Sequence, residues 1–96
     1  MLSKKQQKLY NDFYESTHNS EYLDRKTELL VGLSAAMAMS CEPCIRYYLQ
    51  LAKRDRISDD VIGEVLAKVM AVAAGKKRLQ FEAVVQRIVA DEDDPG

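Results

Sequence analysis

Cys41 and Cys44 are the only two cysteines of the chain, set three positions apart in Cys41-Glu42-Pro43-Cys44. Two sulfurs at that spacing can close a small disulfide ring. They can also divide a reaction, one thiolate attacking and the other resolving the product. The pair follows a long apolar run and precedes a helical pattern, which places it at a helix start, where backbone N–H groups favour a thiolate. Inert buried thiols are the plain alternative, and half of a zinc site is another. Zinc wants about four ligands, and His18 is the only histidine. Four thiolates would need two subunits meeting at a symmetry axis. The reading adopted is a redox pair that needs no cofactor and no metal.

Other side chains near the pair can be ranked by their chemistry. Tyr48 lies four residues after Cys44, hence on the same helix face. A phenol with an ordinary pKa of about 10 can donate a hydrogen bond to a thiolate but is a poor base at neutral pH. A core tyrosine is the plainer role for it. Arg46 would favour a nearby thiolate and Glu42 would oppose one, although both read as solvated charges. His18 falls in the polar turn Ser16-Thr17-His18-Asn19-Ser20 and reads as a surface residue that an oligomer could bring to another subunit's site.

The elements that must position these residues are all helical. Residues 4–16 carry Leu9, Tyr10, Phe13 and Tyr14 on one side. A second helix runs from Glu21 or Asp24 to Met39, nearly all apolar from Leu29 onward, which predicts a helix buried on all sides. Ser40 is the expected N-cap of the third helix, with Pro43 in its first turn. Ile45, Tyr48, Leu49 and Ala52 form its stripe, and Lys53 and Arg54 suit its C-terminal end. Ser58 caps a fourth helix with Asp59 and Asp60 in its first turn. Val61, Ile62, Val65, Leu66, Val69, Met70 and Ala73 repeat along it at helical spacing. Gly75 is the expected stop, and Phe81, Val84, Val85, Ile88 and Val89 make a fifth helix. There is no strand alternation and no internal repeat.

The chain has 96 residues, a single domain's worth, with residues 1–20 as N-terminal helix and turn, 21–90 as core and 91–96 as a disordered acidic tail. So short a chain buries only about 60–65 % of its unfolded surface, yet 47 % of its residues are hydrophobic. The surplus predicts burial between subunits. The net charge of −1 gives no attraction to nucleic acid or an anionic membrane. Lysines near the start have no apolar stretch behind them, so no secretory leader is expected. No apolar run approaches the ~20 residues of a membrane span. The cytoplasm is the expected location, where a Cys-x-x-Cys pair is redox-active or metal-binding more often than a structural staple.

From Asp24 to about Val85 the chain resembles the carboxymuconolactone decarboxylase and AhpD-like alkylhydroperoxidase family. Lys26-Thr27-Glu28-Leu29-Leu30 opens an Ala-rich helix, Cys41-Glu42-Pro43-Cys44-Ile45 opens the next, and Ile57-Ser58-Asp59-Asp60-Val61-Ile62-Gly63-Glu64-Val65 leads into Ala73-Ala74-Gly75. The resemblance implies an all-α, AhpD-like domain of about five helices that assembles as a homo-oligomer, a trimer or hexamer. It implies cysteines that cycle between dithiol and disulfide against a peroxide or disulfide substrate, with a protein or small-thiol reductant. It also implies a relay, a His four positions after the second Cys and a Glu twelve before the first. Here those positions hold Tyr48 and Leu29. Glu28 and Glu64 remain as relay candidates, with a Glu64–Lys68 pair the ordinary role for the latter. The expected function is therefore a thiol–disulfide oxidoreductase with weak peroxidase activity. A non-catalytic scaffold of the same fold is the alternative, and a lactone decarboxylase ranks third.

Overall fold

A computed structural model describes the backbone of residues 1–93. It is built from four helices, α1 (Lys4–Ser16), α2 (Arg25–Ala38), α3 (Glu42–Arg54) and α4 (Asp59–Asp93), with no strand among the described residues. None of these helices is long and apolar enough to cross a membrane. Three of the four starts are set by local side-chain chemistry. Ser3 and Gln6 form a reciprocal capping box at α1, each bond 3.2 Å long. The Asp24 carboxylate accepts from the Thr27 N–H at 2.7 Å, which holds its pKa below the ordinary carboxylate value. Ser58 accepts from the Val61 N–H at 3.3 Å.

Helix α2 is the centre. It packs on α3 along one side and on α4 along another, whereas α1 and the α3–α4 pair make no backbone approach. The core is correspondingly small: Leu29, Leu33 and Ala36 of α2 with Ala52 of α3. The residues on α2 are spaced by four and three, one face of a helix. The expectation of a helix buried on all sides is therefore not met within one chain, since Val31 and Met39 stand exposed. An Arg25–Asp55 ion pair of 2.8 Å joins the start of α2 to the end of α3 and closes their antiparallel hairpin.

Two expected boundaries differ. Gly75 does not stop the fourth helix, which continues unbroken to Asp93 and takes in the expected fifth. Gly75 has no positive φ. One glycine costs a helix only about 1 kcal/mol against alanine, and good helix formers flank it on both sides: Ala73 and Ala74 before, Lys76, Lys77 and Arg78 after. Residues 91–93 of the expected disordered tail are the last residues of that helix, and 94–96 lie outside the described residues. The second difference is Ser40, which ends α2 instead of capping α3. It sits in the left-handed region at φ 54°. The Ser40 N–H donates to Met37 O at 3.1 Å and the Cys41 N–H to Ala36 O at 3.0 Å, the paired bonds of a Schellman C-terminus. The same closure recurs at the end of α3 with Arg56 at φ 58°, its N–H bonding Lys53 O at 3.1 Å and the Ile57 N–H bonding Ala52 O at 2.9 Å.

Candidate active site at the α2–α3 junction

The Schellman closure sets where the sulfurs sit. Cys41 is at once the residue that completes the α2 terminus and the N-cap of α3. Its carbonyl accepts from the Ile45 N–H at 2.9 Å. Glu42, Pro43 and Cys44 then occupy the first, second and third helical positions. Cys44 is thus one turn in, and the two residues are joined as a disulfide with Cα atoms 5.3 Å apart. Both cysteines are half-buried. No side-chain cap bonds the start of α3 in this oxidised state. Pro43 has no N–H to offer, which leaves the Cys44 N–H as the donor an N-cap side chain would use.

The flanking charges neutralise each other. Arg46 donates to Glu42 at 2.8 Å across one exposed helical turn. Beside them lies a shallow depression of about 320 Å³ lined by Glu42, Pro43, Arg46, Tyr47 and Gln50. It lies on the outer face of the motif helix, and neither cysteine lines it.

Tyr48 points the other way, across α2. A Cβ built at Gly32 would lie 2.9 Å from the Tyr48 hydroxyl oxygen and nearer still to its ring carbons. Only glycine leaves room for the ring here. Burial pushes the hydroxyl pKa up to about 12, and the neighbouring Tyr14 hydroxyl, Tyr47 and the Glu28 carboxylate push the same way. Tyr48 is consequently a neutral phenol at ordinary pH and no base.

Of the two carboxylates left as relay candidates, Glu28 is the one that lies near Tyr48. Glu28 is half-buried, accepts from the Ser20 N–H at 3.3 Å and lies within the field of Tyr48. Glu64 is exposed on α4, which does not approach α3, and among the described residues it forms no ion pair with Lys68. Leu29 is 4 % exposed, a core residue where the resemblance expects a carboxylate.

His18 is the residue that the sequence reading misplaced. It is half-buried rather than on the surface, and from the turn after α1 its ring packs against the motif helix of its own chain. Its ring meets Tyr14 edge-on at 4.8 Å, Tyr47 at 5.8 Å and Tyr48 at 6.4 Å between centroids. Tyr47 and Tyr48 pack edge-on at 5.1 Å. The signal was present: Tyr10 and Tyr14 lead into the turn at helical spacing, and an adjacent tyrosine pair waits on α3. The Glu28–Ser20 bond pins the same turn two residues beyond His18.

A disulfide at a helix start, on a hairpin whose central helix opens with Lys26-Thr27-Glu28-Leu29, now stands beside a family comparison. The carboxymuconolactone decarboxylase family model matches residues 5–87. The chain belongs to that family. The match takes in α1, which the sequence resemblance from Asp24 onward did not include. No curated protein and no solved structure matches the chain.

Proposed function

We propose that this family member is a thiol–disulfide oxidoreductase that works by cycling Cys41 and Cys44, with hydroperoxides as one class of oxidant. The observation that carries the reading is the half-buried disulfide built into the first turn of α3. In the reduced chain Cys41 is the attacking sulfur, because a thiolate at the N-cap receives the free Cys44 N–H and the positive end of the helix dipole. It attacks the terminal oxygen of a hydroperoxide: an S–O bond forms, the O–O bond breaks, and the alcohol leaves with a proton. Cys44 then attacks the sulfenic sulfur; the S–S bond forms and water leaves. The dithiol loses two electrons and two protons, and the peroxide gains both. With a disulfide substrate the same thiolate forms a mixed disulfide, which Cys44 resolves. An external dithiol or two small thiols restore the pair by exchange. A reducing compartment, the cytoplasm, suits that cycle.

A second reading has a specific observation in its favour. The two positions that the family resemblance assigns to a proton relay hold a core leucine, Leu29, and a phenol held neutral, Tyr48. That supports a scaffold which kept the sulfurs without fast chemistry. Alkylation of the reduced protein across pH, with mass mapping of the labelled residue, separates the two. The oxidoreductase reading expects Cys41 to titrate below the free-thiol value of about 8.5 and one disulfide to form per peroxide consumed. Sulfurs that both titrate at or above that value leave the scaffold. The Cys44→Ser chain should lose turnover and keep its helical content.

A further inference from the structure

The seam between α2 and α4 stays open along its length. Two depressions run along it, one of about 450 Å³ and one of about 250 Å³. Ser34 and Lys68 line both, so the two form one trough. Leu30, Val31 and Ala38 belong to its α2 wall, and Val65, Val69 and Val72 to its α4 wall. The lining residues recur at helical spacing on both sides, from Thr27 to Ala38 on α2 and from Val65 to Lys76 on α4. Each wall is therefore one helix face, followed for roughly 17 Å at 1.5 Å per residue.

The charged groups of the trough are all of one sign. Lys68 and Lys76 line it and no carboxylate does. Among the described residues neither lysine is in an ion pair. Glu64 stands four residues before Lys68, the order of charges that suits a helix, yet the two do not pair and Lys68 lines both depressions instead. The Ser34 hydroxyl donates to the Val31 carbonyl at 2.7 Å, so its proton is spent on its own helix. We infer that the α2–α4 trough is a binding site for a fatty acid, a medium- or long-chain carboxylate whose tail lies against Leu30, Val31 and Val65 and whose head group sits between Lys68 and Lys76.

The geometry favours an anionic amphiphile over other occupants. The larger depression is in the size range of small-molecule sites. An acyl tail asks no hydrogen bonds of walls that have almost none to give. The two lysines are two turns apart on α4, roughly 12 Å at 1.5 Å per residue, and about 80° apart around it at 100° per residue. Their flexible stems let both ammonium groups reach one carboxylate at the level of Val72, where the contacts are charge-assisted hydrogen bonds. A cation with the same tail would meet two like charges and no counter-ion.

The test is equilibrium dialysis of the full chain against labelled dodecanoate below its micelle concentration. One dodecanoate per chain is expected. Decanoate and octanoate should bind about three- to tenfold more weakly for each pair of methylenes removed. Lys68→Gln with Lys76→Gln should weaken binding about tenfold, and added salt should weaken the wild type more than this variant. Val72→Glu sets a like charge beside the head group. Val72 is 66 % exposed, so this chain should keep its helical circular dichroism and lose dodecanoate. Glu64→Gln should bind like the wild type. Several results would each overturn the inference: no dodecanoate bound, which would leave the trough to a protein surface; affinity indifferent to chain length; dodecyltrimethylammonium bound as tightly as dodecanoate; or a double lysine variant that binds like the wild type. The inference stands apart from the redox reading, since the Cys44→Ser chain should bind dodecanoate like the wild type.

Discussion

Replacing Gly32 by alanine tests the contact that places Tyr48. In an ordinary helix interior this change stabilises, since alanine is favoured over glycine by about 0.8–1 kcal/mol. Here the new methyl would meet the Tyr48 ring, with the hydroxyl oxygen 2.9 Å away and the ring carbons closer. Overpacking of that kind costs about 1–3 kcal/mol. The opposing helix gain leaves a net loss of up to about 2 kcal/mol. For a domain of this size each kcal/mol moves Tm by roughly 4–8 °C. The cost belongs to the ring and not to the helix, so it should vanish in a Tyr48→Ala background. There Gly32→Ala should recover its helical gain of about 1 kcal/mol, and the cycle should return a coupling of about 1–3 kcal/mol. All four proteins are melted at one concentration, because assembly shifts Tm by mass action. A second readout follows the ring itself. Displacement into water should bring the most alkaline tyrosinate transition down from about 12 toward the ordinary value of about 10. A Gly32→Ala chain that gains its full helical stability with Tyr48 in place would refute the reasoning.

The same hydroxyl gives a pH prediction. Its pKa is raised on folding, so the stabilising contribution is fully present below the unfolded value of about 10 and is lost as pH rises to about 12. Wild-type Tm should therefore fall faster over that window than that of Tyr48→Phe. Ser40 and Arg56 both hold left-handed backbone at φ 54° and 58°. Glycine at either should raise stability by about 0.5–1 kcal/mol in thermal melts, the relief of the Cβ clash exceeding the added freedom of the unfolded chain. Leu29→Glu, which restores the carboxylate that the family resemblance expects, buries a charge in the core and should destabilise by about 3 kcal/mol in urea titration.

What the sequence disclosed and what it concealed divide along the range of the interactions. Helix starts are written in short stretches, because a side chain there bonds a backbone N–H three residues on; Ser58 could be read directly, Asp24 was one of two starts open for α2, and the Cys pair stood out by its spacing. Helix ends were harder. Glycine is the usual residue in the left-handed position, yet at both junctions around α3 a serine or an arginine takes it, while the one glycine that looked like a stop, Gly75, lies inside a helix. Ser40 thus read as the start of α3 when it is the end of α2, and the role of N-cap passed to Cys41 itself. That one-residue shift matters chemically, since it puts a sulfur where a capping oxygen normally sits. The Gly32–Tyr48 contact and the seat of His18 against Tyr47 were not legible, because each depends on which face of α2 meets α3. Tyr48 replaces a smaller ring at the position that the family resemblance gives to histidine, and a larger ring leaning on a helix needs a glycine beneath it. Tyr48 on α3 and Gly32 on α2 are therefore two sides of one packing solution. A chain given histidine at position 48 need not keep glycine at position 32.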